Sequence, residues 1–267
     1  MKVSIRKIHQ PLFILLLAGV LAGCTASGRR YGNDKEIMKA EKPGVDTTMI
    51  LETLELYQAK RYESLQEAMS AGIENVHKLV LYGRELGTLS PEIGNLTYLQ
   101  TFDVARNNLK ELPDELSRLH YLQGFYANIN YLVEFPKQLL LLPLLKSIDL
   151  SDNQITSIPP EIVRMDQLTR LSMDRNQLTA IPGQLYELSN LTELELSGNG
   201  LSKIPEGISN LKNLKKLDLS KNQLSAVPRD IAALSGHLTD LYIQGNKLPQ
   251  EEIDWLGKAL PNTTIRY

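Results

Sequence analysis

The sequence LKSIDLSDNQITSIPPEIVRMDQ spans residues 145–167, and Leu168 directly after it begins the same pattern again. Leucine or valine returns at this first position every 23 residues, with a single interval of 24. The eight repeat starts are Val76, Leu99, Leu122, Leu145, Leu168, Leu191, Leu214 and Leu238. A fixed period of this length is typical of stacked supersecondary units, none of which buries its apolar face alone.

The first half of each repeat has the pattern of a short strand. Apolar residues lie three and five positions after the start, as Ile148 and Leu150 do, and alternation with a period of two is typical of a strand with one buried face. An asparagine lies eight positions after the start in every repeat but the first, where Arg84 replaces it. The seven asparagines are Asn107, Asn130, Asn153, Asn176, Asn199, Asn222 and Asn246.

Proline in the second half of the repeat predicts where the strand layer ends. Six repeats have an apolar residue followed directly by proline, as in Ile158 and Pro159. Because proline has no N–H to donate to a ladder, we expect the chain to leave the sheet here for a short helical or irregular segment. An aliphatic residue three positions after this proline, such as Ile162, is expected to return to the core.

The arrangement L-x-x-L-x-L-x-x-N-x-L over residues 76–248 resembles the leucine-rich repeat. The resemblance implies an α/β solenoid of eight coils in a right-handed arc, with a parallel sheet on the concave side and short helical or irregular segments on the convex side. It also implies that each asparagine lies in the turn after the strand and bonds backbone groups of its own and adjacent coils. An amide suits this role because it donates and accepts at once, and an unpaired buried backbone group costs about 1–3 kcal/mol.

Residues 36–75 are predicted to form a helical N-terminal cap, since the ends of a solenoid must close its core. One helix is expected near residues 46–58, with Ile50, Leu54 and Tyr57 on one face. A second helix is expected to begin with a capping box at residues 64–67, in which a serine hydroxyl and a glutamate carboxylate accept from backbone N–H groups.

Residues 249–267 are predicted to form a C-terminal cap. Ile253, Leu256 and Leu260 have helical spacing, with Trp255 beside them. The last residues, 263–267, have the pattern of a closing strand, so that a helix and a strand together are expected to cover the last coil.

Residues 1–23 contain the three parts of a secretory signal peptide in order: basic residues, an apolar run over residues 12–20, and small residues before Cys24. Leu-Ala-Gly-Cys at residues 21–24 resembles the lipobox of bacterial lipoproteins. The resemblance implies that the Cys24 thiol receives a diacylglycerol and that the chain is cut directly before it. The alternative is a buried structural cysteine; as the sole cysteine it forms no intramolecular disulfide.

Residues 24–35 are small and polar and are predicted to form a flexible tether behind the lipidated cysteine. Two or three acyl chains hold a protein firmly on a membrane, whereas one binds reversibly. In Gram-negative lipoproteins an aspartate after the cysteine favours the inner membrane, and Thr25 stands here instead. The resemblance therefore implies a lipid-anchored protein of the bacterial cell envelope, with the outer membrane favoured.

Charge and motifs argue against several classes of function. The 29 basic and 31 acidic residues give a formal net charge of −2, without the positive field that nucleic-acid binding needs. The sequence contains no P-loop, nucleophile elbow or metalloprotease motif. We therefore expect no enzyme, no cofactor and no metal site.

Three hypotheses about function follow from the sequence. The first is a monomeric recognition module that binds a protein or glycan through its concave sheet. The second is a structural or assembly component of the bacterial envelope that binds other envelope proteins. The third is an enzyme whose site has no recognisable motif. The fold class alone does not identify a ligand.

Apolar residues at positions expected to face solvent favour the first three repeats as the binding surface. Exposed aromatic and aliphatic clusters mark contacts more often than scattered apolar residues do. The predicted ligand-binding residues are Val80, Tyr82, Asp103, Arg106, Tyr126, Ile129 and Asp149. The alternative is sequence drift in a tolerant scaffold.

Two further features support this asymmetry between the ends of the array. The equivalent concave positions of later repeats carry small or charged residues such as Ser172, Glu195 and Ser220, as expected of a solvated face. In the third repeat, Leu140 and Leu141 occupy convex positions that are normally polar, and they are expected to add to an exposed apolar cluster.

Overall fold

The structure is a computed structural model that describes residues 44–267. The predicted signal peptide, Cys24, the tether and the first residues of the predicted N-terminal cap lie outside the described residues. Within residues 44–267, no helix has both the length and the apolar composition that crossing a bilayer requires.

In the described part of the chain, ten short strands form one parallel sheet in which each strand pairs with its neighbours in sequence. A strict sequential order is expected when every coil contributes one strand and stacks only on adjacent coils. The strands are β1 Arg61–Tyr62, β2 Lys78–Val80, β3 Thr101–Asp103, β4 Gly124–Tyr126, β5 Ser147–Asp149, β6 Arg170–Ser172, β7 Glu193–Glu195, β8 Lys216–Asp218, β9 Asp240–Tyr242 and β10 Thr264–Arg266.

The opposite side of every coil but the last, which an α-helix follows, carries a short 3₁₀ helix in place of a full α-helix. Five of these helices directly follow or begin at the prolines that the sequence places there, as at Pro160–Arg164, where Pro159 caps the helix. The 3₁₀ helices are Thr47–Met49, Ile73–Asn75, Pro91–Asn95, Asp114–Arg118, Lys137–Leu141, Pro160–Arg164, Gly183–Glu187, Ile208–Asn210 and Arg229–Leu234. The predicted short convex segments are confirmed.

The core lies between the sheet and the 3₁₀ helices and runs without interruption along the coils. The central residue of each repeat strand, from Leu79 in β2 to Leu241 in β9, is fully buried. Phe102 and Phe125 are adjacent in register, with ring centroids 5.9 Å apart, and Ala127 beside them is also buried. We number the coils from their first residues: coil 1 begins at 76, coil 2 at 99, coil 3 at 122, coil 4 at 145, coil 5 at 168, coil 6 at 191, coil 7 at 214 and coil 8 at 238.

The asparagines form a continuous ladder, as the resemblance implied. Asn153 Nδ2 donates to the carbonyl groups of Leu150 at 3.0 Å and Ser151 at 3.2 Å in its own coil, and to Ala127 at 3.0 Å in the preceding coil. Its Oδ1 accepts from the Leu132 N–H at 3.0 Å. The other asparagines bond equivalent groups. One amide thus satisfies turn groups of two coils.

The residue before each ladder position has a left-handed backbone. This conformation closes the turn after the strand and is unfavourable for side chains branched at Cβ. The positive φ values are 65° at Gly83, 54° at Arg106, 56° at Ile129, 53° at Asp152, 50° at Arg175, 67° at Gly198, 52° at Lys221 and 73° at Gly245. Among these eight residues, Ile129 is the one whose side chain is branched at Cβ.

The N-terminal cap contains two short helices, α1 Thr53–Gln58 and α2 Leu65–Ser70, and the unpredicted strand β1. The Ser64 hydroxyl accepts from the Glu67 N–H at 3.1 Å, as predicted, while the Glu67 carboxylate accepts from the Glu63 N–H at 3.4 Å. The first helix does not bury the apolar face that the sequence predicted, because Leu54 and Tyr57 are 66% and 81% exposed. That prediction is wrong. Strand β1 covers the end of the core instead, with the buried Tyr62.

The C-terminal cap has the predicted helix and closing strand, α3 Gln250–Ala259 and β10. Leu256 is buried against the last coil, but a buried glutamate also anchors the helix. Glu252 accepts from the Val227 N–H at 3.1 Å and from the Arg229 guanidinium at 2.7 Å. The same guanidinium lies 3.9 Å from the centroid of the Trp255 ring, so that one cation joins both side chains of α3 to coil 7.

Replacing a central asparagine should lower stability strongly. Asn153→Leu and Asn176→Leu each leave buried backbone groups of two coils unpaired, and we expect a loss of about 2–5 kcal/mol in the free energy of unfolding. Arg84→Leu is the control, because the Arg84 side chain makes an exposed ion pair with Glu63, worth less than about 1 kcal/mol. Urea unfolding followed by circular dichroism measures all three. Equal midpoint shifts for the three variants would contradict the structural role of the ladder.

Candidate functional site

Each repeat strand turns two side chains away from the core, one on either side of its buried central residue. The column at the strand ends contains Val80, Asp103, Tyr126 and Asp149 as predicted. The column at the strand starts was not among the residues predicted from the sequence, although the same alternation predicts that these side chains also face away from the core. That column contains Lys78, Thr101, Gly124, Ser147, Arg170, Glu193, Lys216 and Asp240.

The predicted binding residues on β2 to β5 lie side by side. Val80 pairs in register with Asp103, Asp103 with Tyr126, and Tyr126 with Asp149. Neighbouring strands of a sheet are about 4.8 Å apart, so these four side chains form one continuous row across coils 1 to 4. All four are half-buried.

Two aromatic side chains, one beside the row and one within it, give this part of the concave face its apolar character. Tyr82 is 46% exposed, and the Arg106 guanidinium lies 5.7 Å from the centroid of its ring. The Tyr126 ring leans across Gly124, where an added Cβ would lie 3.1 Å from the Tyr126 Oη. Gly124 thus provides the space in which the ring lies flat on the sheet, and the two tyrosines present accessible ring surface to solvent.

The carboxylates of the row are held by their own backbone. Asp103 accepts from the Ala105 N–H at 2.9 Å, and Asp149 accepts from the Ser151 N–H at 2.9 Å. Burial raises the pKa of Asp103, and the negative charge of Asp149 acts in the same direction. Strand pairing places an aromatic ring between these two carboxylates, which gives the row alternating apolar and acidic character.

Ile129 does not lie in this row. It occupies the left-handed turn after β4, on the edge of the sheet, beside Arg106 in the preceding coil. The structure therefore divides the seven predicted residues into a concave row and a turn edge, with Tyr82 and Arg106 joining the two. The binding role of these residues remains a prediction.

Coils 5 to 7 have a different concave face, and the expectation of a solvated face is wrong there. Ser172, Glu195, Ser197 and Ser220 are all buried. The Glu195 carboxylate accepts from the Arg170 guanidinium at 2.9 Å and from the Lys216 ammonium at 2.5 Å. Hydroxyl groups also pair between adjacent coils, with Ser197 Oγ 2.7 Å from Ser220 Oγ. Since these polar groups satisfy one another across the coils, little of their surface reaches solvent.

The predicted apolar cluster on the convex side of coil 3 is also wrong in part. Leu140 is buried, because the 3₁₀ helix Lys137–Leu141 turns it into the core with Leu139. Gln138 is drawn inward as well and donates to the Leu112 carbonyl at 2.9 Å. Leu140 is therefore not part of an exposed surface.

On this face, Asp174 in coil 5 is the acidic group whose pKa departs furthest from its ordinary value. Burial raises its pKa to about 6, with Asp218 and Glu195 adding to the rise, while the Ser197 N–H at 2.7 Å and Arg175 oppose it. Because the folded pKa exceeds the ordinary value of 3.8, the folded state binds the proton more tightly than the unfolded state. This group therefore lowers stability as the pH rises from about 4 to about 6.

Asp174→Asn should stabilise the protein at pH 7.5, because it removes a poorly solvated charge and keeps an acceptor for the Ser197 N–H. We expect a gain on the order of 1 kcal/mol that disappears by pH 4, measured by urea unfolding across this range. Asp254→Asn, on the exposed side of α3, controls for the loss of one negative charge. A gain that is equally large at pH 4, or equal in both variants, would contradict the effect of burial.

The described residues contain no group of three histidine, cysteine, aspartate or glutamate side chains positioned to hold a metal ion. What the concave row offers chemically is a contact surface: aromatic rings, a valine and acidic side chains on a rigid sheet. Aromatic residues and arginine are enriched in protein interfaces, and such surfaces take up apolar anchors surrounded by polar contacts.

Comparison with known proteins connects this architecture to a family of repeats. Residues 143–201 and 189–248 match the family model described as leucine rich repeat. A comparison with curated proteins gives no significant match. A solved leucine-rich-repeat protein of Leptospira interrogans is 30% identical, with a TM-score of 0.63, and the similarity covers 71% of this chain and 54% of that chain.

Two other solved structures show the same architecture. An internalin from Listeria monocytogenes is 26% identical with a TM-score of 0.59, over 67% of this chain and 50% of that one. The plant peptide hormone receptor RGFR1, in complex with RGF2, is 30% identical with a TM-score of 0.62, over 76% of this chain and 33% of that one. This chain spans about half the length of the two bacterial structures. From the repeats, the sheet and these similarities, we conclude that the array has the leucine-rich-repeat fold.

Proposed function

We propose that this chain is a membrane-anchored recognition module outside the cytoplasm that binds a protein partner through the concave row of coils 1 to 4. The observation that carries the proposal is the contrast between the two halves of the concave face. In coils 5 to 7 the charged side chains pair with one another, as Arg170 and Lys216 do with Glu195. In coils 1 to 3 aromatic surface faces solvent at Tyr82 and Tyr126.

The similarity to known structures supports a binding role for the fold. The plant receptor is a peptide hormone receptor in complex with RGF2, so that structure contains a leucine-rich-repeat chain together with a bound partner. The present chain matches a third of that receptor, and its own partner is proposed from its own surface. A protein fits the mixture of aromatic and acidic side chains in the row, and a glycan stacked on the tyrosines is the alternative ligand.

We propose further that the chain is anchored through a lipid on Cys24 and acts as a monomer in the bacterial envelope, at the outer membrane in a Gram-negative cell. The support is the order of basic residues, apolar run and Leu-Ala-Gly-Cys in the sequence. A tether of about a dozen residues between the lipid and the cap would let the concave row reach partners beyond the membrane surface.

A structural or assembly role in the envelope is the second candidate. A solenoid of stacked coils presents an extended concave surface, and the concave row could equally bind another envelope protein. The identity of the bound partner separates the two functions: an external protein supports recognition, and a resident envelope protein supports assembly.

Loss of the two tyrosines should abolish binding while the fold is kept. We expect Tyr82→Ala with Tyr126→Ala to lose at least 10-fold in affinity for a partner recovered from membranes by the wild-type chain, since buried aromatic anchors contribute about 2 kcal/mol or more. Tyr242→Ala is the matched control, because Tyr242 occupies the Tyr126 column at the other end of the sheet. If Tyr242→Ala weakens binding as much as the tyrosine pair does, the proposed surface is in the wrong half.

Cys24→Ser should release the protein from the membrane and leave the precursor uncut before residue 24, because this thiol is the only acyl acceptor that the lipobox provides. Labelled fatty acid incorporation and membrane fractionation measure the two effects. Ser64→Ala serves as a control for a small change elsewhere and should leave both unchanged. Fatty acid incorporation that persists in Cys24→Ser would rule out the proposed anchor.

A further inference from the structure

Exposed apolar side chains within the repeats are concentrated in a single coil. Within residues 76–248, the large apolar residues with more than a third of their surface exposed are Tyr82, Ile129, Tyr131 and Val133. The last three belong to coil 3 and are 38%, 47% and 50% exposed. We call Ile129, Tyr131 and Val133 the edge stripe, since they follow the turn after β4 with the buried Asn130 and Leu132 between them.

The fold does not require apolar residues at these positions. Polar residues or glycine replace Tyr131 and Val133 in the neighbouring coils, and the same turn forms there with the same asparagine bonds. The residues equivalent to Tyr131 are Glu85, Asn108, Gln154, Gln177, Gly200, Gln223 and Lys247, and those equivalent to Val133 are Gly87, Lys110, Thr156, Thr179, Ser202 and Ser225. The apolar residues of the edge stripe thus depart from the polar pattern of the other coils, and packing within the fold does not require them.

Ile129 also stores strain. Its φ of +56° is sterically unfavourable for a side chain branched at Cβ, and glycine occupies the equivalent position in coils 1, 6 and 8. A residue held in such a conformation costs on the order of 1–3 kcal/mol, and strain of this kind clusters at functional sites. Because Ile129 is 38% exposed, part of its apolar surface gains nothing from burial in the isolated chain.

The charge beside the edge stripe indicates what kind of group would meet it. In the preceding coil, Arg106 and Lys110 occupy the positions equivalent to Ile129 and Val133, and neither forms an ion pair within residues 44–267. In the following coil, the carboxylate of Asp152 is already held by Arg175 at 2.6 Å. The unpaired charges in the stripe's own column are therefore the cations Arg106 and Lys110, while the exposed Glu134 follows Val133 along the chain. A carboxylate would complement the two cations.

We propose that the edge stripe anchors a protein segment whose apolar side chains pack on Ile129, Tyr131 and Val133 and whose carboxylate pairs with Arg106 or Lys110. This inference rests on the proposed binding of a protein partner and extends the contact from the concave row around the turn edge. The Arg106 guanidinium over the Tyr82 ring connects the two surfaces. A second copy of the chain fits less well, because three side chains form a small apolar area and Asp152 is not free to meet Arg106 of another copy.

The test uses a displayed library of random 12-residue peptides, selected on the full mature chain and then measured against variants. The edge variant Ile129→Asn/Tyr131→Gln/Val133→Thr gives coil 3 the polar character of its neighbours. We expect it to bind the enriched peptides at least 10-fold more weakly. It should also unfold at a higher urea concentration, since asparagine tolerates the left-handed turn, so that lost binding is not lost folding.

The charge arm uses Arg106→Gln with Lys110→Gln. We expect the enriched peptides to carry Asp or Glu, to bind this variant at least 3-fold more weakly, and to lose most of the salt dependence of their binding. Peptides without acidic residues, or peptides that bind the charge variant unchanged, would overturn the proposed carboxylate contact.

Four further outcomes test the edge stripe and the concave row. A library that yields no peptide sensitive to the edge variant overturns the proposal, and so does a wild-type dimer in sedimentation equilibrium that the edge variant dissociates. Peptides that need the edge stripe but bind Tyr82→Ala/Tyr126→Ala normally would support the edge and contradict the concave row. Peptides that need the tyrosines but not the edge would do the reverse.

Discussion

The asparagine ladder is the interaction on which the rest of the structure depends. A coil of 23 residues turns sharply after each three-residue strand, and this turn leaves backbone groups without partners in the sheet. Each amide donates to carbonyls of two coils and accepts from an N–H of the preceding one. Each ladder asparagine therefore closes the turn of its own coil and also bonds the adjacent coil. As a result, the stacking of coils and the formation of turns stabilise each other.

Because the ladder and the core satisfy the backbone, the outward side chains of the sheet have no fixed structural task. Coils 5 to 7 use them for cross-coil pairs such as Arg170 with Glu195 and Ser197 with Ser220. Coils 1 to 3 instead leave aromatic and aliphatic surface exposed, at Tyr82 on the sheet and at Tyr131 on the edge. The same scaffold thus has a self-paired half and an unpaired half, and the unpaired half is where a partner would gain most from contact.

Much of the fold follows from the sequence, because one local rule repeats eight times. The buried strand centres, the asparagine turns and the convex segments after proline all have a fixed position in the repeat. Features that occur once were harder to predict from the sequence. Strand β1 is two residues long and has no repeating pattern, and helix α1 is too short to bury Leu54. The buried state of Glu195 depends on two cations in the adjacent coils, Arg170, 25 residues before it, and Lys216, 21 residues after it. Comparing residues along a single column does not reveal these pairs. The edge stripe was only partly predicted, through Ile129, although comparing equivalent positions across the coils reveals Tyr131 and Val133.

Hydrogen exchange at the amides that donate to the ladder tests the central claim most directly. The N–H groups of Leu132, Ile155 and Leu178 each donate to an asparagine Oδ1 of the next coil, at 3.0, 2.9 and 3.0 Å. If the ladder holds the coils together, these amides exchange as slowly as those of Leu150 and Met173 beside the strands, with the opening free energy of global unfolding. Rapid exchange at the three ladder amides while the two strand-side amides stay protected would show that the turns open independently, and that the ladder is not what holds the structure together.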